Sequence, residues 1–459
     1  MGGQYIYTQV NSYQVLQRDF STNSAAVKYA NGSIHTFAVG GPYQIDDASH
    51  VLVGDIWLLA GQSNMRGNAF YIDPWTDPPS KTYPDYVDDM IHLFQSNETW
   101  AKGQEPTHRL DQSVRQVDYD LSDPSRAKGY YTYRGVSPGM AFAKTYKDLN
   151  KDVPVGLLAT SHGGTTMEQW SPDLLETTQD PYNNTLYGAM LGRIEKATGG
   201  SNQVAGILWY QGESDAGDAT LASEYENNLA SWIKTTRSIL KNDLLPFLYV
   251  QVSRVLRIQN DQDKGWNQVR EAQRLLNDNS NFDKKRIGGV ASIDLEMDDY
   301  IHLSGKGQTI VGQRLAIAAT NALRNKASTT SPTFASVKFE QKNTDTITNT
   351  TNVAAIQSTL LVKFKNVKAW KTHGEDDDGV YGFSLHNSNG DMLPVVFKSK
   401  IQQDKKSVRL FLTYDAPKLD TNDVFLYYGY GMNPICNMET VDGMGLLAFG
   451  PVPVQLEYP

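Results

Sequence analysis

A chain of 459 residues is longer than one hydrophobic core organises, so two or three domains are expected. With 40% hydrophobic and 20% charged residues it reads as globular, and a net charge of −9 without any Lys/Arg run excludes nucleic acid and anionic membrane as partners. The single cysteine, Cys436, excludes an internal disulfide and a cysteine-based zinc site. No apolar run approaches the ~20 residues that span a bilayer, and the opening MGGQYIYTQV lacks the pattern of a leader. A soluble chain is expected: cytoplasmic as it stands, or secreted or periplasmic if a leader has been removed. Oligomeric state leaves no mark in the sequence.

Residues 1–50 carry short strand-like pieces, YQVLQRDF and SIHTFAVG, broken by Asn, Gly and Pro, which predict an N-terminal β segment. From 51 to 327 apolar runs alternate with amphipathic stretches. VLVGDIWLLAG, VPVGLLATS, VAGILWYQG, PFLYVQVS and IGGVASIDL predict five strands. SPGMAFAKTYKDLN, LYGAMLGRIEKAT, ASEYENNLASWIKTTRSIL, GWNQVREAQRLLND and SGKGQTIVGQRLAIAATNALRN predict the helices between and after them. Such alternation implies an α/β domain built on a parallel sheet with helices on both faces. Beyond the Ser/Thr/Pro-rich link near 327–333, short alternating strands such as STLLVKFKNV and SVRLFLTY predict a C-terminal β-sandwich-like domain over 328–459.

Ligands bind such sheets beyond the carboxyl ends of the strands, and three of the five runs end there in polar, Gly-containing segments: GQSNM, TSHGGTTMEQW and YQGESDAGD. Ser63 closes the first run as a candidate nucleophile. A serine nucleophile needs a base, a carboxylate to orient it and donors for the developing oxyanion. His302 in DDYIHLSGKG follows the fifth strand, with Asp299 three residues upstream. His162 competes from the active rim but has no carboxylate two to four residues away. His35, His50, His373 and His386 in the β segments, and His92 and His108 in an irregular region, read as structural or surface histidines. Oxyanion donors are expected from the Ser63 N–H, from Gly163 or Gly164, and from the Gln211 side chain. Gln62, Asn64 and Glu213 are read as supporting or substrate-binding residues, Trp170 as a sugar-stacking candidate, and Arg66 or Arg134 as a cation for an acidic sugar. The acidic string HGEDDDGVYG at 373–382 reads as a solvated turn. Nothing has the spacing of a phosphate loop, a dinucleotide fingerprint or a zincin helix, so no cofactor and no metal are expected. The segment around Ser63 is not a G-x-S-x-G elbow, because Met65 replaces the second glycine.

The ordered set VLVGDIWLLAGQSNM, RGVSPGMAFAK, VPVGLLATSHGGTTMEQWSP, ILWYQGESDA, DDYIHLSGKGQ and VFLYYGYGMNPICNMETVDGMGLLAF resembles the sialate O-acetylesterase-like branch of the SGNH hydrolases, which is related to acetylxylan esterases. The resemblance implies a three-layer α/β/α domain with a flavodoxin-like parallel sheet, and a triad of Ser63, His302 and Asp299. It also implies a hole formed by the Ser63 N–H, a glycine N–H of the GGT segment and the Gln211 amide, acting on an O-acetylated carbohydrate through an acetyl-enzyme. Leu59-Ala60 and EPTHRL depart from the family pattern at positions that touch substrate fit. Two alternatives stay open: an esterase of the same mechanism acting on acetylated xylan, and a carbohydrate-binding protein without catalysis.

Overall fold

The computed structural model describes residues 5–127, 129–257, 263–343, 356–372, 379–420 and 422–456. Its centre is a nine-stranded sheet. In spatial order the main path runs Trp100–Lys102, Ile91–Phe94, Val155–Ala159, Ala48–Gly61, Gly206–Tyr210, Phe247–Val250 and Ile287–Val290. All neighbours on this path are parallel except the first pair. The 14-residue strand Ala48–Gly61 is central because its last six residues, from Ile56 on, are apolar on both faces and fully buried, as a strand covered on both sides requires.

Alternation along that strand feeds two separate cores. Ile56, Leu58 and Ala60 pack toward helices Leu186–Ala197, Ala219–Ile239 and Asp263–Leu276. Trp57 and Leu59 pack toward Gly139–Leu149 and Gly305–Leu323. A one-residue slip in register would send every one of these side chains to the wrong face. Among the described residues no helix is long and apolar enough to cross a membrane.

Two features differ from the sequence reading. Val15–Gln17 and Gly40–Ile45 pair with the first half of the central strand, so part of the N-terminal β segment extends the main sheet. The region around His92, read as irregular, contains the strand Ile91–Phe94 and its antiparallel neighbour, and His92 is buried within the sheet. His373 and most of the acidic string, residues 373–378, lie outside the described residues.

Among the described residues the C-terminal strands form two antiparallel four-stranded sheets and the antiparallel pair Trp370–Thr372 with Met438–Thr440. The two larger sheets share one core in which Leu360, Val362 and Leu410 meet Leu385, Leu426 and Tyr428. Buried polar bonds tie them to the parallel sheet. The Arg270 guanidinium donates to the carbonyls of Gly429 (3.0 Å), Gly431 (2.5 Å) and Ser253 (2.7 Å), and Gln251 Nε2 donates to Ala448 O (3.0 Å).

Candidate active site

Ser63 sits where the central strand stops. Gly61 has φ +131°, and a Cβ there would lie 2.2 Å from the Tyr210 carbonyl oxygen, so only glycine lets the chain leave the sheet beside its neighbour. The chain then enters one helical turn, Ser63–Arg66. Ser63 Oγ lies 2.9 Å from His302 Nε2. His302 Nδ1 lies 2.8 Å from Asp299 Oδ2 and 3.0 Å from Oδ1. Asp299 Oδ1 also accepts the backbone N–H groups of Ile301 (2.9 Å) and His302 (2.8 Å), which folds the loop so that acid and base meet. Asn68 Nδ2 also faces Nδ1, but the charge and the two oxygens of Asp299 outweigh that one amide and assign the ring proton to Nδ1, leaving Nε2 to accept from the Ser63 hydroxyl. Ser304 then caps the helix Gly305–Leu323 by accepting from Gly307 N–H, fixing the loop's far end.

Burial pulls the His302 imidazole below its ordinary value; Asp299 opposes the fall and the charges of Arg66 and Arg134 add to it. Burial would raise the Asp299 carboxyl, yet the bonds from His302, the backbone and Arg134 hold it well below the usual carboxylate range. At neutral pH the pair is therefore a neutral imidazole on a carboxylate, the charge state a general base requires.

Asn64 joins the two halves of the site. Its Nδ2 donates to Ile301 O (3.2 Å) and its Oδ1 accepts from Leu303 N–H (3.1 Å), so one carboxamide holds both neighbours of His302 against the turn that carries Ser63. Glu213 Oε1 accepts from the same Nδ2 at 2.7 Å. Burial pushes the Glu213 carboxyl up to about 7 from 4.5. The native state thus keeps a proton that the unfolded chain loses, and the group's contribution to stability falls as pH rises from about 4.5 through about 7. Gln is isosteric with the protonated acid and keeps the bond to Asn64. Glu213→Gln is therefore expected to match the wild-type Tm near pH 5 and to exceed it near pH 8, by up to about 3 kcal/mol in stability, in paired thermal melts. Equal pH dependence of the two proteins would refute this account of Glu213.

The expected oxyanion donors divide. Ser63 and Gly164 line the cavity, and no described group accepts from either N–H. Gly163 N–H donates to Asp123 Oδ2 at 2.6 Å, so that donor is spent. Its glycine is demanded by packing, since a Cβ would lie 2.4 Å from the same carboxylate oxygen. The Gln211 expectation is corrected: its Nε2 donates to Thr165 O (2.9 Å) and Asp215 Oδ2 (2.5 Å), and the residue does not line the cavity. Gln62 does line it. The Gln62 Oε1 faces the backbone N–H groups of Gly212 and Ser214, both at 3.4 Å, which turns its amide NH₂ away from them.

Trp170 is corrected too. It is fully buried, packs edge-on against Trp209 and donates its indole N–H to Thr165 Oγ1, so no sugar reaches it. His162 finds a carboxylate 44 positions away, Asp118 Oδ1 at 2.9 Å, but lies fully buried off the cavity wall. Arg134 donates to Asp299 Oδ2 (2.7 Å) and lies over the Phe70 ring, so its charge is already committed.

The cavity in front of Ser63 holds about 630 Å³. Its lining includes Arg66, the other arginine considered for an acidic sugar, and residues that the sequence reading missed. Arg66 is buried in an ion pair with Asp123 (3.2 Å) and donates to Tyr130 (3.2 Å). The Asn68 carboxamide lies against His302 Nδ1 and accepts from Arg66 Nη2 at 3.1 Å. Tyr130 and Tyr133 come from the tight turn Tyr130–Thr132 and the residue after it, and Trp266 and Met432 also line the cavity. Asn68, Tyr130, Tyr133 and Trp266 carry no motif, and only the fold brings them together.

Comparison with known proteins accords with this geometry. Residues 53–321 match the family model described as carbohydrate esterase, sialic acid-specific acetylesterase. An Arabidopsis thaliana protein named as a probable carbohydrate esterase is 29% identical over 278 residues, 57% of this chain and 89% of that protein. The sialate O-acetylesterase of Homo sapiens is 27% identical over 183 residues, covering 36% of this chain and 32% of the human protein. That of Rattus norvegicus is 26% identical over 270 residues, covering 48% and 47%. The match thus spans less than half the length of either sialate O-acetylesterase. A crystal structure of a carbohydrate acetylesterase from Xanthomonas citri superposes with TM-score 0.63 over 96% of this chain and 97% of that one, at 21% identity, which shows a shared fold.

Proposed function

Since this chain belongs to the sialic acid-specific acetylesterase family of carbohydrate esterases, we propose that it removes O-acetyl groups from acetylated sugars by a serine mechanism. The catalytic unit in this reading is a three-layer α/β/α SGNH-type domain ending near residue 327, followed by a separate β domain over 328–459. The observation that carries the reading is the unbroken line Ser63 Oγ, His302 Nε2 at 2.9 Å, and His302 Nδ1 to Asp299 at 2.8 Å, at the wall of a cavity large enough for a sugar.

His302 takes the Ser63 proton as Oγ attacks the acetyl carbonyl. Asp299 stabilises the imidazolium that forms, and Arg134 steadies Asp299. The oxyanion is received by the N–H groups of Ser63 and Gly164 and by the side-chain NH₂ of Gln62, which takes the place first assigned to Gln211. Preorganised donors of this kind contribute about 2.7–4 kcal/mol each at an acyl-transfer transition state. Collapse expels the sugar oxygen, which takes the proton from His302, and leaves acetyl-Ser63. Water activated by His302 then releases acetate. Arg257 supports a sialate reading of the substrate: it lines the cavity over the Tyr300 ring with no carboxylate partner among the described residues.

The deciding assay measures acetate release from O-acetylated sialic acid and from acetylated xylo-oligosaccharides side by side, with acid-quenched enzyme digested for an acetylated Ser63 peptide. Acetate from at least one substrate together with the acetyl-peptide is expected. Absence of acetate from both, or turnover without acetyl-Ser63, overturns the proposal.

A further inference from the structure

A second cleft, of about 400 Å³, lies between helices Ala219–Ile239 and Asp263–Leu276 and loops of the C-terminal sheets. Three chain segments line both clefts. Gly217 and Trp266 face the Ser63 cavity where Ser223 and Asn267 face the second cleft, and Met432 faces the first where Tyr430 faces the second. The two spaces therefore border the same three stretches of chain.

The second cleft has the makings of a sugar site. Tyr430 is fixed on three sides: its ring stacks on His386 at 3.6 Å and 22°, meets Tyr427 edge-on at 4.9 Å, and its hydroxyl donates to Gly390 O at 3.0 Å. Gly390, at φ +91°, leaves room for that hydroxyl, which a Cβ would approach to 2.9 Å. A platform held this way loses little freedom when a ligand arrives. Around it stand Glu226, Lys264, Gln268 and Asn389, whose side chains have no hydrogen-bond or ion-pair partner among the described residues. Such groups match the hydroxyls of a saccharide. The other carboxylate of the lining, Glu271, is taken by Arg274 and the Gly450 N–H. One acid and one base then remain uncommitted, and a neutral ligand is favoured over an anionic one.

We propose that this cleft is a binding subsite for the neutral sugar units of an oligosaccharide whose acetylated unit occupies the Ser63 cavity. This rests on the esterase reading above and makes the preferred substrate a sugar chain instead of a free monosaccharide.

The full-length Ser63→Ala protein is titrated with xylotetraose, with and without the added pair Gln268→Ala and Asn389→Ala, by calorimetry and by chemical-shift perturbation. In parallel, the same pair in the otherwise wild-type enzyme is assayed on 4-nitrophenyl acetate, on acetylated xylose and on acetylated xylo-oligosaccharides. Loss of two hydrogen-bonding groups is expected to weaken xylotetraose binding about tenfold and to raise KM for the oligosaccharide about tenfold, with kcat and both small-substrate rates unchanged. Tyr430→Ala, with folding checked by its melting curve, is expected to weaken binding further. Failure of xylotetraose to bind the Ser63→Ala protein, or equal affinity in the presence of the Gln268 and Asn389 substitutions, overturns the subsite. If no substrate releases acetate, the esterase reading falls, while the titration still decides the cleft.

Discussion

Replacing Ser63 or His302 by Ala is expected to lower kcat for acetyl-ester hydrolysis about a millionfold, with either change costing nearly as much as both together. The two act as one device. Without the Nε2 acceptor at 2.9 Å, the Ser63 hydroxyl keeps its proton at neutral pH and is a poor nucleophile. Without Oγ, the imidazole has no proton to take from the attacking group. A residual acceleration of about a thousandfold over water remains from the oxyanion donors and substrate positioning, because neither substitution touches the N–H groups of Ser63 and Gly164. Ser63→Ala removes a hydroxyl at a site that is 9% exposed, and its fold is expected to be unchanged. The measurement is initial-rate acetate release by the single and double variants, with residual wild-type contamination excluded by the absence of acetyl-Ser63. A loss below a hundredfold in either single variant, or additive losses in the double, would remove the pair from the chemistry.

The parts of this site that could be read from the sequence are those fixed by short-range pattern. A strand apolar on both faces had to be central, and its polar stop had to surface at the rim, so Ser63 was findable. Asp299 and His302 share a loop, and a three-residue spacing was enough to suggest their contact. The misreadings concern orientation and long-range partners. Gln62 and Gln211 both follow strands, and nothing local says which amide faces the cavity. Asp215, four residues beyond Gln211, captures that amide and turns it inward. Trp170 stands among polar neighbours in the sequence, yet the cluster of Trp209 and Trp232 behind the sheet draws it into the core. Arg134 reaches Asp299 across 165 positions, a pairing that only the folded chain reveals. The strand Ile91–Phe94 escaped notice because four residues with a histidine among them carry little periodic signal, and its partners are supplied by the sheet.

Asp299→Asn is expected to cost about 10⁴ in kcat while leaving a folded protein. The reason lies in what each oxygen of Asp299 does. Oδ1 accepts two backbone N–H groups, and Oδ2 accepts from Arg134 Nη1 at 2.7 Å, while both lie within reach of His302 Nδ1. A carboxamide has one oxygen for these two sets of donors. Turned either way, its NH₂ faces a donor, a conflict worth about 1–3 kcal/mol of stability that a thermal melt should register. An NH₂ facing Nδ1 also makes that nitrogen an acceptor and moves the ring proton to Nε2, where it confronts the Ser63 hydroxyl and blocks general-base action. Losing the carboxylate removes what holds the imidazolium, so the His302 pKa drops further and the acidic limb of kcat/KM moves to lower pH. Arg134→Gln separates tautomer from charge. It keeps Asp299 intact and removes a cation that disfavours the imidazolium, so the acidic limb should move to higher pH with a far smaller loss in kcat. Opposite shifts of the two limbs are the signature expected of a carboxylate that orients the base and an arginine that acts through it. Limbs that move together, or an Asp299→Asn enzyme within tenfold of wild type, would assign Asp299 to the loop's architecture alone.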